Sequence, residues 1–250
     1  MTKQKTVIIT GAAGTIGAAA ARLLSQQGYH LILVDNKEEE LIALTSHIPN
    51  SNWISIDVTN PQAIATLFDS IADSLVSLVL AAGVEGPVSI LEDCPDDIFQ
   101  SVMTTNVMSI WLGIKHALRI FKPKNQGSIV VLSSISGTTA MPMLSPYCAS
   151  KHAVIGLVRT AAREVASYGI RVNAVCPGPV VSDMMKRIDN SLTEFYPTRL
   201  NNRTDASHFI PMQRYATPEE VANVIGFLCS DESRYCTGMT MMVDGGLSCK

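Results

Sequence analysis

Short apolar segments of β-forming residues alternate with longer segments of helical periodicity along most of the chain. This alternation predicts an α/β fold, because parallel neighbouring strands are joined by crossover connections that usually contain a helix. Segments such as LILV and IVVL are apolar without interruption, as strands covered on both faces of a sheet are. The segments predicted as strands are residues 6–10, 30–35, 53–57, 75–81, 128–133, 171–176 and 239–243.

These segments predict a seven-stranded, mostly parallel sheet with helices on both faces, about six helices in all, within one domain spanning residues 1–250. Local residues predict where some helices begin and end. Asn60 before Pro61 and Thr217 with Glu220 are expected to cap helix starts, and Gly28 is expected to end a helix.

Residues 182–215 do not follow the alternation, since polar and apolar residues are mixed there and Pro197 and Pro211 interrupt any helix. A segment of that length in a compact domain predicts a lid over a substrate site. It carries apolar side chains that, with those of residues 136–145, predict an apolar or weakly polar pocket, although they could equally bury the lid against the domain. These are Met141, Met143, Met184, Met185, Phe195, Tyr196, Phe209 and Met212, with Arg199 and Arg203 as candidates for an anion.

Composition excludes several classes of protein. Apolar residues make up 47% of the 250 residues, which supplies a large core and excludes a disordered chain. The 19 Lys and Arg against 22 Asp and Glu form no basic block, so nucleic acid is not an expected partner. No apolar run reaches the roughly 18 to 20 residues that span a bilayer, and residues 1–10 lack a signal peptide's apolar stretch. We therefore expect no membrane association and a cytoplasmic location.

The six cysteines are scattered without a CxxC pair, which predicts neither a metal site nor a disulfide framework. They are interpreted as reduced and mostly buried small apolar residues.

A glycine-rich turn follows the first predicted strand directly, and a predicted helix follows the turn. The turn reads TGAAGTIG, in which glycines allow the backbone to approach a pyrophosphate and the helix start offers free N–H groups. The alternative is a glycine-rich turn without a ligand. The residues predicted to contact a dinucleotide here are Gly11, Thr15, Ile16 and Gly17.

Asp35 closes the second predicted strand, 35 − 17 = 18 residues after Gly17, near the spacing of about 20 expected for an acid that binds the adenosine ribose. Its carboxylate would accept from a 2′-hydroxyl and repel a 2′-phosphate, and Asn36 beside it is not basic, although Lys37 is close. NAD is therefore predicted over NADP. Alternatively, Asp35 is only a turn residue.

Tyr147 and Lys151 are spaced i and i+4, which places them one above the other on one face of a helix. A phenol has a pKa of about 10 and is a poor base at neutral pH until a neighbouring cation favours the phenolate. Ser134 ends the fifth predicted strand and offers a hydroxyl for a substrate oxygen that exchanges its proton with the tyrosine. The Tyr and Lys spacing alone is common on helices, so the combination carries the prediction.

The chain resembles the short-chain dehydrogenase/reductase family, in its branch of about this length, over essentially all its residues. The matching motifs are TGAAGTIG, Asp57 with Val58, AAG at Ala81 to Gly83, Asn106, Ser134, Tyr147 with Lys151, Arg171 to Asn173, Pro177 with Gly178, and Val243 to Gly246. The resemblance implies a Rossmann-type doubly wound fold. It implies that Tyr147 is the general acid or base, Ser134 orients the substrate, Lys151 binds the nicotinamide ribose and lowers the tyrosine pKa, and Asn106 holds a water in a proton relay.

The resemblance also implies further cofactor contacts and a homotetramer paired through two long helices, around residues 98–121 and 147–168. The implied contacts are Asp57, Val58, Ala82, Gly83, Pro177, Gly178, Val180 and Ser182. Two departures stand out. Thr15 replaces the family's middle glycine, with Gly14 one place earlier, and Leu80 and Ala81 replace two asparagines, for which we expect an altered packing solution.

The sequence therefore predicts an NAD-dependent oxidoreductase that interconverts a secondary alcohol, with a small cyclic alcohol as a candidate, and a ketone. The partner is a small-molecule alcohol or ketone. Three alternatives stay open: an NADP-dependent 3-ketoacyl-type reductase, a dihydrodiol dehydrogenase served by the same catalytic set, and a non-catalytic NAD-binding protein.

Overall fold

One seven-stranded sheet runs through the computed structural model, which describes residues 4–195 and 207–249. Its strands, in chain order β1 to β7, are Thr6–Thr10, His30–Asp35, Ser51–Ser55, Leu75–Leu80, Gly127–Leu132, Ile170–Pro177 and Thr240–Val243. Their order across the sheet is β3-β2-β1-β4-β5-β6-β7, and all six neighbouring pairs are parallel. The predicted α/β fold with a parallel, doubly wound sheet is confirmed.

Eight α-helices are found among the described residues. In chain order α1 to α8 they are Thr15–Gln26, Glu38–Thr45, Pro61–Ile71, Asp96–Met103, Ser109–Lys124, Ser145–Val165, Asp183–Phe195 and Pro218–Cys229. The number exceeds the predicted six for two reasons. A π-helical turn at Thr104–Met108 divides one predicted long helix into α4 and α5, and α7 forms within the segment that lacked a clear pattern.

The two faces of the sheet carry separate buried cores, because successive side chains of a strand point to opposite faces. Ile8 of β1 packs with the apolar residues of α3, α5 and α6. Its neighbours Val7 and Ile9 pack with those of α1, α2 and α8. Helices therefore cover both faces, as predicted.

Strand β3 begins and ends two residues earlier than the predicted 53–57. It is an edge strand that pairs only with β2, and its last paired residue, Ser55, lies opposite Asp35, where β2 ends. Ile56 and Asp57 therefore lie beyond the sheet, in the loop at its carboxyl edge. The apolar pattern alone does not reveal where the pairing partner stops.

The predicted helix boundaries follow local chemistry. Asn60 accepts the N–H groups of Gln62 and Ala63 at the start of α3. Thr217 and Glu220 form a reciprocal capping box at the start of α8. Gly28 follows α1 with φ of +84°, which explains its use as a stop.

All six cysteines are free thiols, but only Cys176 and Cys229 are buried, so the expectation that most are buried is wrong. Cys94, Cys148 and Cys236 are half-buried and Cys249 is exposed. Within residues 4–195 and 207–249, none of the helices combines the length and the apolar character that crossing a bilayer requires.

Leu80 shows how the core accommodates an apolar residue at the end of β4, where the family has asparagine. Its side chain is buried over Gly113 of α5, and a Cβ added at Gly113 would lie 2.6 Å from Leu80 Cδ2. The missing side chain at position 113 therefore creates the space that Leu80 fills, which is the altered packing expected for this departure.

We predict that Gly113→Ala lowers the free energy of unfolding by about 1–3 kcal/mol through overpacking. In a Leu80→Ala background the same substitution should be neutral or stabilising, because the clash is removed and alanine favours the helix by about 1 kcal/mol. Denaturant unfolding of the four proteins measures this coupling. Equal costs of Gly113→Ala in both backgrounds would contradict it.

Candidate active site

A cleft of about 1090 Å³ opens along the carboxyl edge of the sheet. Residues that follow β1, β4 and β5 line it, including Gly11, Ala82 and Ser134. Strands β1 and β4 are neighbours, and the chain leaves them toward opposite sides of the sheet. Open α/β sheets bind ligands at such a point, because the diverging loops leave a crevice.

The glycine loop between β1 and α1 is closely packed backbone. Gly11 has φ of +67°, and a Cβ there would lie 2.5 Å from the backbone nitrogen of Ala82. A Cβ at Gly17 would lie 2.1 Å from the carbonyl oxygen of Gly11. Helix α1 then begins at Thr15 without a side-chain cap and without an acidic residue in its first turn. Its N–H groups and partial positive charge therefore fit a pyrophosphate.

Replacement of the usual middle glycine by Thr15 leaves this loop intact. Thr15 is exposed as the first residue of α1, and Gly14 before it has φ of −72° and ψ of 159°, which any residue adopts. The loop is closed by Gly14 N–H donating to the carbonyl of Gly11 at 3.1 Å.

Asp35 is fixed at the end of β2 by three backbone donors. Its Oδ2 accepts from Ala13 N–H at 3.1 Å, and its Oδ1 accepts from Asn36 and Lys37 at 2.9 and 3.3 Å. The carboxylate is thus tied to the glycine loop and lines the cleft, with lone pairs left to accept from ribose hydroxyls. The side of the cleft formed by Asp35 and the loop therefore suits the adenosine half of a dinucleotide.

Tyr147 and Lys151 stand on α6, and Ser134 ends the extended segment after β5. The ammonium of Lys151 lies 5.5 Å from the centre of the Tyr147 ring and donates to the carbonyl of Leu132 at 3.0 Å. The Ser134 hydroxyl lies near enough to the Tyr147 phenol to favour its phenolate. The structure therefore brings these three residues together in the cleft.

Burial decides how these groups ionise. It raises the pKa of Tyr147 to about 12, although the nearby Ser134 hydroxyl opposes the rise. Burial also lowers the pKa of Lys151 to about 8. Desolvation of the phenolate is the largest influence on this phenol, and the part of Lys151 in lowering the tyrosine pKa stays a prediction.

Asn106 lies in the π-helical turn, fully buried behind the cleft. Its Oδ1 accepts from Val84 N–H at 2.8 Å, and its Nδ2 donates to Val84 O at 2.8 Å and to Ser150 Oγ at 3.0 Å. Both amide hydrogens are therefore used by the protein. The predicted role of Asn106 in holding a water stays a prediction; its side chain joins the loop after β4 to α6.

The remaining predicted contacts also line the cleft. Ser182 donates to Val180 O and accepts from Met185 N–H, both at 3.1 Å, so its hydroxyl caps α7. Asp57 Oδ1 accepts from the backbone and hydroxyl of Thr59. The other predicted residues found in the lining are Ile16, Asn36, Val58, Ala82, Gly83, Pro177 and Gly178.

The wall beside Tyr147 is less apolar than predicted. Met141, Met184 and Met185 line it, whereas Met143, Phe195, Phe209 and Met212 do not. Tyr196, Arg199 and Arg203 lie outside the described residues, as does part of the predicted lid. Polar side chains complete the wall, and the sequence interpretation missed them: Glu85, Asp97, Gln100 and Arg187. Glu85 lies just beyond β4, and residues at the carboxyl ends of parallel strands are expected to line a binding site. No local sequence pattern indicates that Arg187 lines the cleft.

Comparisons with known proteins agree with this geometry. A family model described as enoyl-(acyl carrier protein) reductase matches residues 11–248. A 3-oxoacyl-(acyl-carrier-protein) reductase of Rickettsia felis is 35% identical over 97% of this chain and 96% of its own. A diacetyl reductase of the (S)-acetoin forming type from Staphylococcus epidermidis is 33% identical over 97% and 98%.

Two solved structures are also similar. NAD⁺-bound xylitol dehydrogenase superposes with a TM-score of 0.91 and 30% identity, covering 98% of this chain and 100% of that one. ElxO with NADP bound has a TM-score of 0.87 and 30% identity, covering 99% and 100%. The similar structures therefore include one with NAD⁺ bound and one with NADP bound.

We predict that Lys151→Met raises the free energy of unfolding at pH 7 by about 1–3 kcal/mol. The folded pKa of about 8 lies below the ordinary 10.5, so the unfolded chain binds more protons between these values. Lys151 therefore destabilises the fold at pH 7, and stability should rise as pH increases from about 8 to 10.5. Thermal or denaturant unfolding across this range measures both effects.

Lys115→Met is the matched control, because Lys115 is an exposed lysine on α5. It should leave the pH dependence of stability unchanged. A Lys151→Met protein that is less stable at pH 7, or that keeps the rise between pH 8 and 10.5, would show that buried charge is not the cause.

Proposed function

The chain belongs to the short-chain dehydrogenase/reductase family of oxidoreductases, which bind a nicotinamide cofactor, and we propose that it interconverts a secondary alcohol and a ketone with NAD. One observation carries the proposal. The Tyr147 phenol, close to Ser134 and adjacent to Lys151, lies in the same cleft as the glycine loop and Asp35. A proton-transfer group and a dinucleotide cradle therefore share one cavity.

The proposed chemistry is a proton transfer coupled to a hydride transfer. In the oxidation direction, Tyr147 as phenolate accepts the substrate hydroxyl proton, and the hydrogen on the carbinol carbon leaves as hydride. The nicotinamide supplies the hydride acceptor or, in reverse, the donor. In reduction, the phenol gives its proton to the carbonyl oxygen. In either direction Tyr147 returns to its starting form by exchanging a proton with solvent.

Each neighbour of Tyr147 has a distinct proposed part. Ser134, which lies close to the phenol, orients the substrate oxygen beside it. Lys151 is buried and donates to the carbonyl of Leu132. Its ammonium would also donate to a hydroxyl of the cofactor ribose and stabilise the phenolate by its charge. Asn106 acts as a positioning residue that fixes Val84 and Ser150 around them.

The raised pKa of Tyr147 favours reduction at neutral pH. A phenol with a pKa of about 12 is protonated there, so it is ready to donate to a ketone oxygen. Oxidation needs the phenolate, and its rate is therefore expected to increase as pH rises. The positive charge of an oxidised nicotinamide bound beside the phenol would oppose this rise in pKa and favour the phenolate.

Asp35 supports the choice of NAD. Its carboxylate is held at the mouth of the cleft by backbone donors, and a 2′-phosphate placed against it would meet like charge. The opposing feature is Lys37, which also lines the cleft. The xylitol dehydrogenase structure is NAD⁺-bound, which agrees with the proposal but does not decide it.

A 3-ketoacyl-type reductase that uses NADP is the second candidate. It is supported by the 35% identity to a 3-oxoacyl-(acyl-carrier-protein) reductase and by Lys37 in the cleft. Asp35 argues against the NADP part of this alternative. A dihydrodiol dehydrogenase would use the same catalytic residues. A non-catalytic NAD-binding protein would not need Tyr147, Ser134 and Lys151 to lie together.

We further propose that residues 182–215 act as a lid and that the chain forms a homotetramer through its long helices. Ser182 and Arg187 of the lid segment line the cleft. Phe99, Met108 and Trp111, on α4, α5 and the turn between them, are 45–50% exposed, as an interface would need. The cytoplasmic location stays a prediction.

We predict that Tyr147→Phe lowers turnover at least about 100-fold while the cofactor dissociation constant changes less than about threefold. The reason is that only the proton-transfer oxygen is removed. Nicotinamide absorbance measures turnover across secondary alcohols and ketones, and cofactor fluorescence measures binding. Tyr168→Phe, at an exposed tyrosine, should change neither. Retained turnover in the Tyr147 variant would contradict the proposed role.

We predict that Asp35→Asn lowers the ratio of kcat/KM for NAD to that for NADP on the order of 100-fold. The amide keeps the shape of the side chain but removes the charge that repels a 2′-phosphate. Glu38→Gln is the matched control, since it removes a charge at the start of α2 outside the cleft lining. An unchanged ratio, or a preference of the unaltered protein for NADP, would contradict the assignment.

A further inference from the structure

An ion pair crosses the wall of the cleft beside Tyr147. Arg187 Nε donates to Glu85 Oε1 at 2.7 Å, which joins the loop after β4 to α7. The Glu85 side chain is 14% exposed and that of Arg187 is 61% exposed. Glu85 is therefore the inner member of the pair and Arg187 the outer one.

The pair leaves polar groups unused. Among the described residues, Glu85 Oε2 accepts no hydrogen bond, and the two terminal nitrogens of Arg187 donate none. Glu85 Oε2 is not fully buried, so a substrate hydroxyl would replace water as its donor. Because the two charges compensate each other, the fitting ligand is a neutral group that can both donate and accept.

Glu85 also lies close enough to Tyr147 for its charge to matter there. Its carboxylate disfavours the phenolate and is one cause of the raised pKa of Tyr147. The other groups near this phenol are the hydroxyl of Ser134, the thiols of Cys148 and Cys176, and Lys151 beside the ring. Glu85 is the carboxylate among them, and it lines the same cleft as Tyr147.

We propose that Glu85 is a specificity-determining residue that accepts a hydrogen bond from a second hydroxyl of the substrate, while Arg187 holds its carboxylate in place. This inference rests on the proposed alcohol and ketone chemistry at Tyr147. It assigns the preferred substrates to neutral vicinal diols and hydroxyketones. An anionic group at the same position would meet the Glu85 carboxylate and would have to take Arg187 from it.

The other polar residues of this wall do not replace Glu85 in that role. Asp97 is exposed in the first turn of α4, and Gln100 is exposed one turn further on. An exposed carboxylate is fully hydrated and gains little from a substrate hydroxyl, whereas the Glu85 side chain is only 14% exposed and loses less water when a hydroxyl binds it. Discrimination between a diol and a mono-alcohol should therefore depend on Glu85.

The test compares 1,2-cyclohexanediol with cyclohexanol, which share a ring and differ by one hydroxyl. Binding to the protein with nicotinamide cofactor present is measured by the change in cofactor fluorescence, and turnover is measured in parallel by nicotinamide absorbance. The unaltered protein should prefer the diol at least tenfold in binding and in kcat/KM. Glu85→Leu should reduce that preference to less than threefold, with the change confined to the diol.

Asp97→Leu is the matched control, because it removes a cleft carboxylate that makes no ion pair among the described residues. It should keep the diol preference. Arg187→Met should weaken the preference but leave part of it, since Glu85 remains. Equal binding of the two ring compounds to the unaltered protein, or a parallel loss for both in Glu85→Leu, would overturn the inference.

The dependence of the oxidation rate on pH distinguishes this role of Glu85 from a purely structural one, because a structural role would leave the profile unshifted. Removing the Glu85 charge makes the phenolate easier to form, so Glu85→Gln should shift the acidic limb of the oxidation profile to lower pH. An unshifted limb would contradict the placement of Glu85 beside the phenol. If no alcohol is oxidised with either cofactor, the proposed function fails, whereas the binding comparison still decides whether Glu85 selects a second hydroxyl.

Discussion

The departure of the chain in opposite directions from β1 and β4 is the constraint on which the rest of this structure depends. Because these strands are neighbours, the backbone after β1 passes within contact of the backbone after β4, as the approach of Gly11 to Ala82 shows. No side chain fits between them. The crevice at this point is lined by both the start of α1 and the loop that carries Glu85. The residues proposed to hold the cofactor and those proposed to contact the substrate are therefore brought together by the same divergence of β1 and β4.

The same crevice contains buried groups that the fold would be more stable without. Lys151 is buried with a lowered pKa, and the Tyr147 phenolate is disfavoured by the same desolvation. Two extensive apolar cores on the faces of the sheet offset this cost. Such unfavourable burial is common where groups must change protonation state during a reaction, because it sets their pKa values apart from those in water.

A buried polar network connects these groups to the scaffold. Asn106 clamps Val84 through both backbone groups and reaches Ser150, which in turn donates to the carbonyl of Tyr147. The network joins the π-helical turn, the loop after β4 and α6. Glu85 directly follows the clamped Val84, so the position of its carboxylate is set from one side by this network and from the other by Arg187.

The sequence by itself determined the features that are local or periodic. Alternating segments predicted the parallel sheet, the capping residues predicted helix starts, and the i, i+4 spacing placed Tyr147 and Lys151 on one face of a helix. Only the tertiary structure decided where β3 ends, since its pairing with β2 sets the limit. It also decided the pKa of Tyr147 and the use of the Asn106 amide, because both depend on burial. The Glu85 and Arg187 pair joins residues 102 positions apart, and no local pattern encodes a contact that exists only after the chain has folded.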